Sequence, residues 1–357
     1  MIKNLASLYI YEINKNIIFA DNEQVKIVFL GDIHTSEEAG CDFDGPSGTK
    51  KIYNIDELLQ QWIIYNEKNN IKTDLYAEVH FTKSNQRFVI TEGSPLQLLP
   101  SNIPCFTKDK NCYKNVKLHY VDIRSIDMDG IRTSLDPFDM STLKYLAMHR
   151  RIAYHKIIDI INHIKSDYIH LLNFLLLPLD FNKIKDFIAL DKAYSNVFYN
   201  INKHVVVRDD RKMFRAAAEI YKLRKINLAL STKLLKFIFF KARVYMSTID
   251  FSEEIETLRL MAFSNEAAFV KDTLTSVDNK LLKVGGLVMD AYTLARMFCQ
   301  IHESEEVIVY AGTSHIAIYV DFLQSLLLTP LLAIDNKDRC IEHADLANYI
   351  DFDKLYD

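Results

Sequence analysis

Two segments of the chain end an apolar run in Gly-x-x-His. One reads VKIVFLGDIH and carries Gly31, Asp32 and His34; the other reads VIVYAGTSHI and carries Gly312 and His315. A third apolar segment, TDLYAEVHF, carries Glu78 and His80. Imidazoles and carboxylates are the side chains that bind divalent cations. A cation held this way lowers the pKa of a bound water and polarises a carbonyl. The candidate metal ligands are therefore His34, Glu78, His315, Asp32 and His80, with manganese, cobalt or zinc as the divalent metal. The candidate catalytic set is His34, Glu78, Arg124 and His315. In that set Arg124, at the end of KLHYVDIR, holds a carboxylate or a developing oxyanion. Each residue also has a plainer reading. A histidine can cap a loop, Asp32 can bond turn backbone, and Arg124 can pair with Asp122.

These side chains need strand ends to bring them together. Residues 8–19 and 25–30 read as strands, and the second is apolar throughout, as expected of a strand covered on both faces. Alternation over residues 73–81 predicts Glu78 and His80 on one face. Further strands are expected at 117–124, 307–311 and 331–334. Asn54 and Glu57 resemble a capping box opening a helix to about residue 69. Helical spacing recurs over 141–202, with a break near Pro178, and over 211–245 and 252–271. Gly285 and Gly286 are expected to precede a separate helix over 287–302, and a last helix follows His315. The predicted fold class is α/β: a mixed central sheet flanked by helices, with a large helical insertion. Residues 1–140 and 277–357 would form the two parts of the α/β core, and 141–276 the insertion. Such sheets bind ligands at the carboxyl ends of their strands, where His34 and His315 both fall.

Composition narrows the function classes. The chain has 357 residues, 49% of them hydrophobic, enough for one large or two modest cores. With 43 basic and 47 acidic residues the net charge is −4, so no nucleic-acid partner is expected. The N-terminus lacks a signal-peptide layout, and the apolar run over 319–334 is interrupted by Asp321, Gln324 and Pro330. No membrane partner is expected, and the compartment is read as cytoplasmic. Five scattered cysteines without a CxxC pair fit free thiols. His155, Asp159, His163 and Asp167 recur every four residues and read as a solvated helix row. Lys233, Lys236, Lys241 and Arg243 lie among Phe237, Phe239 and Phe240, which reads as an amphipathic helix with snorkelling basic side chains.

FLGDIH and VIVYAGTSHI resemble the two Gly-x-x-His motifs of the TIKI/TraB superfamily, a group related to erythromycin esterases and ChaN-like proteins. In that group an acidic residue lies on a strand between the motifs, and Glu78 resembles it. TraB-like proteins also carry an Arg-Asp pair on a helix before the second motif. In VMDAYTLA, Asp290 matches that aspartate, Met289 stands in the place of the arginine, and Arg124 or Arg296 is the candidate replacement. The resemblance covers both ends of the chain and leaves 141–276 outside it. It implies a mixed α/β fold and hydrolysis of a peptide or small ester, by a metal-dependent route or with a histidine base. Two alternatives stay open. Met289 and the helical block fit a catalytically silent binding or virion-associated protein, since the residue bias and motif form resemble proteins of giant DNA viruses, found in host cytoplasm or virion. Gly31-Asp32-x-His34 also resembles the first metallophosphoesterase motif, although no later GDxxD follows.

Overall fold

A computed structural model describes residues 2–3, 5–17, 23–33, 53–80, 113–122, 143–144, 147–149, 152–176, 211–261, 267–335, 340–341, 348–349 and 355. The chain forms two units, Met1–Asp122 with Arg296–Asp357, and Ile123–Ala295. In chain order the first contributes β1 (Ile2–Lys3), β2 (Ser7–Asn14), β3 (Gln24–Asp32), β4 (Tyr53–Asn54), α1 (Ile55–Lys68), β5 (Thr73–His80) and β6 (Val116–Asp122). The second contributes α2 (Tyr154–Leu176), α3 (Arg211–Ile226), α4 (Leu228–Thr248), α5 (Ser252–Met261) and most of α6 (Ala267–Gln300). The first unit then resumes with β7 (Glu306–Gly312), α7 (Thr313–Ser325), β8 (Leu332–Asp335) and β9 (Cys340–Ile341).

The main sheet has six strands in the order β6-β5-β7-β3-β2-β8, and a small sheet has the order β4-β1-β9. β6, β5, β7 and β3 run parallel, while β2 is antiparallel to β3 and to β8. The mixed α/β class expected above is the one observed. β3 is buried on both faces because its side chains alternate between two cores. Val28 and Leu30 pack with Leu58, Leu59 and Trp62 of α1. Phe29 turns the other way, with Tyr11 at 5.9 Å and Tyr319 of α7 at 6.0 Å between ring centroids. Each such aromatic or aliphatic side chain stabilises the fold by about 1.5–3 kcal/mol when fully buried.

A buried carboxylate fastens α1 to this sheet. Glu306, first residue of β7, accepts from Trp62 Nε1 at 2.9 Å and from Asn66 Nδ2 at 2.6 Å, and lies 3.1 Å from Lys26 Nζ. α1 begins at Ile55 with Asn54 at its N-cap, but the Asn54 side chain makes no capping bond, so the expected capping box is not formed.

Within the helical unit α3 packs on α4, and α2 packs on α4 and α5. The helix expected over 211–245 is two helices, because Asn227 adopts an extended backbone and its side chain accepts from Leu230 N–H to open α4. Gly285 and Gly286 do not start a helix; they lie inside the 34-residue α6. Glycine in a helix costs about 1 kcal/mol relative to alanine. The fully buried neighbours Leu281, Val284, Leu287 and Val288 offset it. Among the described residues no helix is long and apolar enough to cross a membrane.

Candidate active site

The register of the parallel strands sets the site. Asp32 of β3 pairs with Gly312 of β7, and Ala77 of β5 pairs with Tyr310. Asp32, Gly312 and Glu78 therefore lie at nearly one level at the carboxyl ends of three adjacent strands. Asp32 and Glu78 are both 0% exposed. A carboxylate withdrawn from water must be compensated by hydrogen bonds or charge. Glu78 Oε2 accepts the Gly312 N–H at 2.8 Å, and Glu78 Oε1 lies 3.5 Å from His315 Nε2. His315 is in the first turn of α7, and its side chain is 13% exposed. The buried carboxylate thus holds the cap of a helix and faces an imidazole that water reaches.

Gly31 stays within β3 and serves a close approach. A Cβ there would meet Ser7 Oγ at 2.0 Å and Thr313 Cγ2 at 3.1 Å. Gly312, at the N-cap of α7, has φ −59°, a value open to any residue.

Of the expected site residues, the structure brings together Asp32, Glu78 and His315. His34 and Arg124 lie outside the described residues. His80 ends β5 opposite Asp122, and the pairing of β5 with β6 shifts register between Ala77 and His80. The side chain of His80 lies outside the described residues. Asp290 is buried on α6 in the helical unit, next to the fully buried Met289. Arg296 donates its Nε–H to His119 Nδ1 at 3.3 Å. It is thereby engaged with a different group of residues.

Pattern reading does not find that second group. His119 Nε2 lies 2.6 Å from Asp74 Oδ1, the Ser304 hydroxyl donates to Asp74 Oδ2, and the Tyr76 ring stacks on His119 at 4.4 Å. Asp74, His119 and Ser304 are all buried. Burial holds the His119 pKa below its usual value, and Arg296 and Lys117 push the same way against the pull of Asp74. The hydrogen bonds agree, since Nδ1 accepts from Arg296, which places the single proton of a neutral ring on Nε2, facing Asp74. These residues come from β5, β6, α6 and the approach to β7, at separations no local motif spans. A signal was present only in the polar residues that interrupt apolar runs, such as Asp74 and His119.

Among the described residues no group of three His, Cys, Asp or Glu side chains is placed to hold a metal ion. A surface depression lined by Asp272, Thr275, Ser276, Asn279 and Lys280 belongs to the helical unit and carries none of the expected site residues. His155, Asp159 and His163 of α2 are exposed, and His163 Nδ1 bonds the Asp159 backbone carbonyl at 2.7 Å, as a solvated row would. No protein-family model, curated protein or solved structure matches the chain.

Proposed function

We propose that the carboxyl edge of the main sheet is the active site of a hydrolase acting on an ester or peptide, with His315 as its proton-transfer group. The observation that carries this reading is the buried Glu78 carboxylate facing His315 Nε2 at 3.5 Å. A carboxylate on one ring nitrogen orients the imidazole and stabilises the cation formed when the other nitrogen takes a proton. Nδ1 of His315 is then the atom that accepts a proton from an attacking water. Glu78 is itself fixed by the Gly312 N–H, so the dyad is anchored on two elements at once. The N-terminus of α7 lies at the same place and favours negative charge developing on a substrate oxygen. The likeness to the TIKI/TraB superfamily belongs to the same proposal.

Both Glu78 oxygens already serve Gly312 and His315. The proton transfer is therefore assigned to the chain's own residues.

Aryl esters and short peptides, screened with wild type, His315→Ala and Glu78→Gln, test the reading. Wild type turns over at least one ester or peptide, and removing the general base lowers kcat by about 10²–10⁴-fold. Glu78→Gln keeps an acceptor for Gly312 but removes the charge facing His315, and its pH–rate profile shifts. Metal analysis of protein never exposed to chelator separates the two routes. Stoichiometric manganese, cobalt or zinc that disappears in His34→Ala and His315→Ala would transfer the role of His315 to metal ligation. Absence of turnover in wild type, with normal behaviour of a His34/His315 double-alanine variant in cells, would make the chain a silent binding protein.

A further inference from the structure

We propose that the hairpin of α3 and α4 docks the protein on an anionic lipid surface. Residues 211–248 hold ten Lys or Arg and one acidic residue, Glu219, a net charge of +9 in a chain whose total is −4. The average over the whole chain conceals this concentration, and the absence of a spanning apolar run does not bear on surface binding. α4 contains no acidic residue over its 21 positions.

The placement of the charges matters more than their number. At about 100° per residue, Lys233, Lys236, Phe237, Phe240, Arg243 and Val244 fall within one arc of α4. Buried Leu234, Leu235, Ile238, Ala242 and Met246 lie on its inner side. On that outer arc Phe240 is 63% and Val244 40% exposed, and Lys233, Lys236 and Arg243 are exposed beside them. Among the described residues no carboxylate forms an ion pair with Lys233, Lys236 or Arg243; Arg243 instead lies 4.5 Å over the Phe239 ring. At the hairpin corner Ile226 is 41% and Leu228 57% exposed, next to exposed Lys225.

Exposed apolar side chains interleaved with cations mark a contact surface. An interfacial helix has this make-up: its apolar side chains enter the boundary between headgroups and acyl chains while Lys and Arg meet anionic headgroups. Nucleic acid shares the need for positive charge, but it uses aromatic faces for stacking. Of the four exposed apolar side chains only Phe240 is aromatic; Ile226, Leu228 and Val244 are aliphatic and offer no stacking face, which favours lipid. The surface lies on the helical unit and is independent of the Glu78–His315 reading.

Flotation of the full-length protein with vesicles tests the proposal. Vesicles of phosphatidylcholine with phosphatidylserine bind it at least about tenfold more tightly than phosphatidylcholine alone, and added salt weakens the difference. Lys233→Gln/Lys236→Gln/Arg243→Gln weakens binding to the anionic vesicles roughly a hundredfold, from about 1 kcal/mol per cation near the surface. Phe240→Ser weakens it while leaving every charge in place. All four side chains are exposed, so thermal unfolding followed by circular dichroism stays at the wild-type midpoint for both variants; Lys236→Gln/Arg243→Gln replaces the triple variant if that one melts early. Equal binding to the two vesicle types, an unaffected charge variant, or tighter binding to a mixed-sequence oligonucleotide than to anionic vesicles would each overturn the proposal.

Discussion

Gly31 sits where a side chain would strike Ser7 and the first turn of α7. That glycine could be read in the sequence as a point of close approach, but its partner could not, since Ser7 lies on β2 and Thr313 almost three hundred residues further on. Gly31→Ala destabilises the protein by about 1–3 kcal/mol, as overpacking in a closed core does. Ser7→Gly in the same chain returns part of the loss, because it removes the Oγ and Cβ that the new methyl meets. Urea unfolding of the two single variants and the double measures the coupling directly. Glu78 and His315 were legible for a similar reason: strand ends followed by turns announce them. The Gly312 N–H that holds Glu78 was invisible, because a backbone donor leaves no mark in a sequence. Arg296, a candidate replacement for the missing arginine, is found with His119.

The elements themselves were legible where periodicity and burial agree. β3, β5 and β7 stand where apolar runs placed them, and α7 starts at the turn before His315. Local sequence misleads where a breaker and the surrounding core disagree. Gly285 and Gly286 look like an interruption, yet their buried neighbours carry α6 straight through. Asn227 looks like an ordinary polar residue within an apolar pattern, yet its side-chain cap starts a new helix.

The buried His119 assembly ties β5 and β6 to the approach to β7, and it makes stability depend on pH. With its folded-state pKa held below the usual histidine value, His119 binds fewer protons folded than unfolded. Its contribution is therefore present above an unfolded pKa of about 6.5 and is lost as pH falls below that value. Urea unfolding between pH 7.5 and 5 should show stability falling by up to about 1.4 kcal/mol per pH unit from this one group. His119→Gln, which cannot take up the proton, should show a correspondingly flatter profile. An equal slope in the variant would assign the pH dependence to other groups.

On the scale of the whole chain the α/β class was readable. The sequence places a helical insertion over 141–276, and one of the two compact units spans Ile123–Ala295. A helix that runs unbroken from Ala267 to Gln300 leaves no punctuation at its point of transfer to the sheet unit. One consequence of the strand order concerns time. β7, at residues 306–312, lies between β3 and β5, which are made near the start of the chain. A ribosome therefore releases both neighbours long before the strand that joins them exists. Until then each presents an open edge, of the kind that templates aggregation. Fold completion is also delayed by the closure of a loop of more than two hundred residues. A chain stopped at residue 304 should consequently show fast amide exchange throughout β3 and β5, measured by mass spectrometry, where the full chain shows slow exchange. Protein synthesis at reduced temperature, or with chaperones in excess, should raise the soluble yield of the full chain.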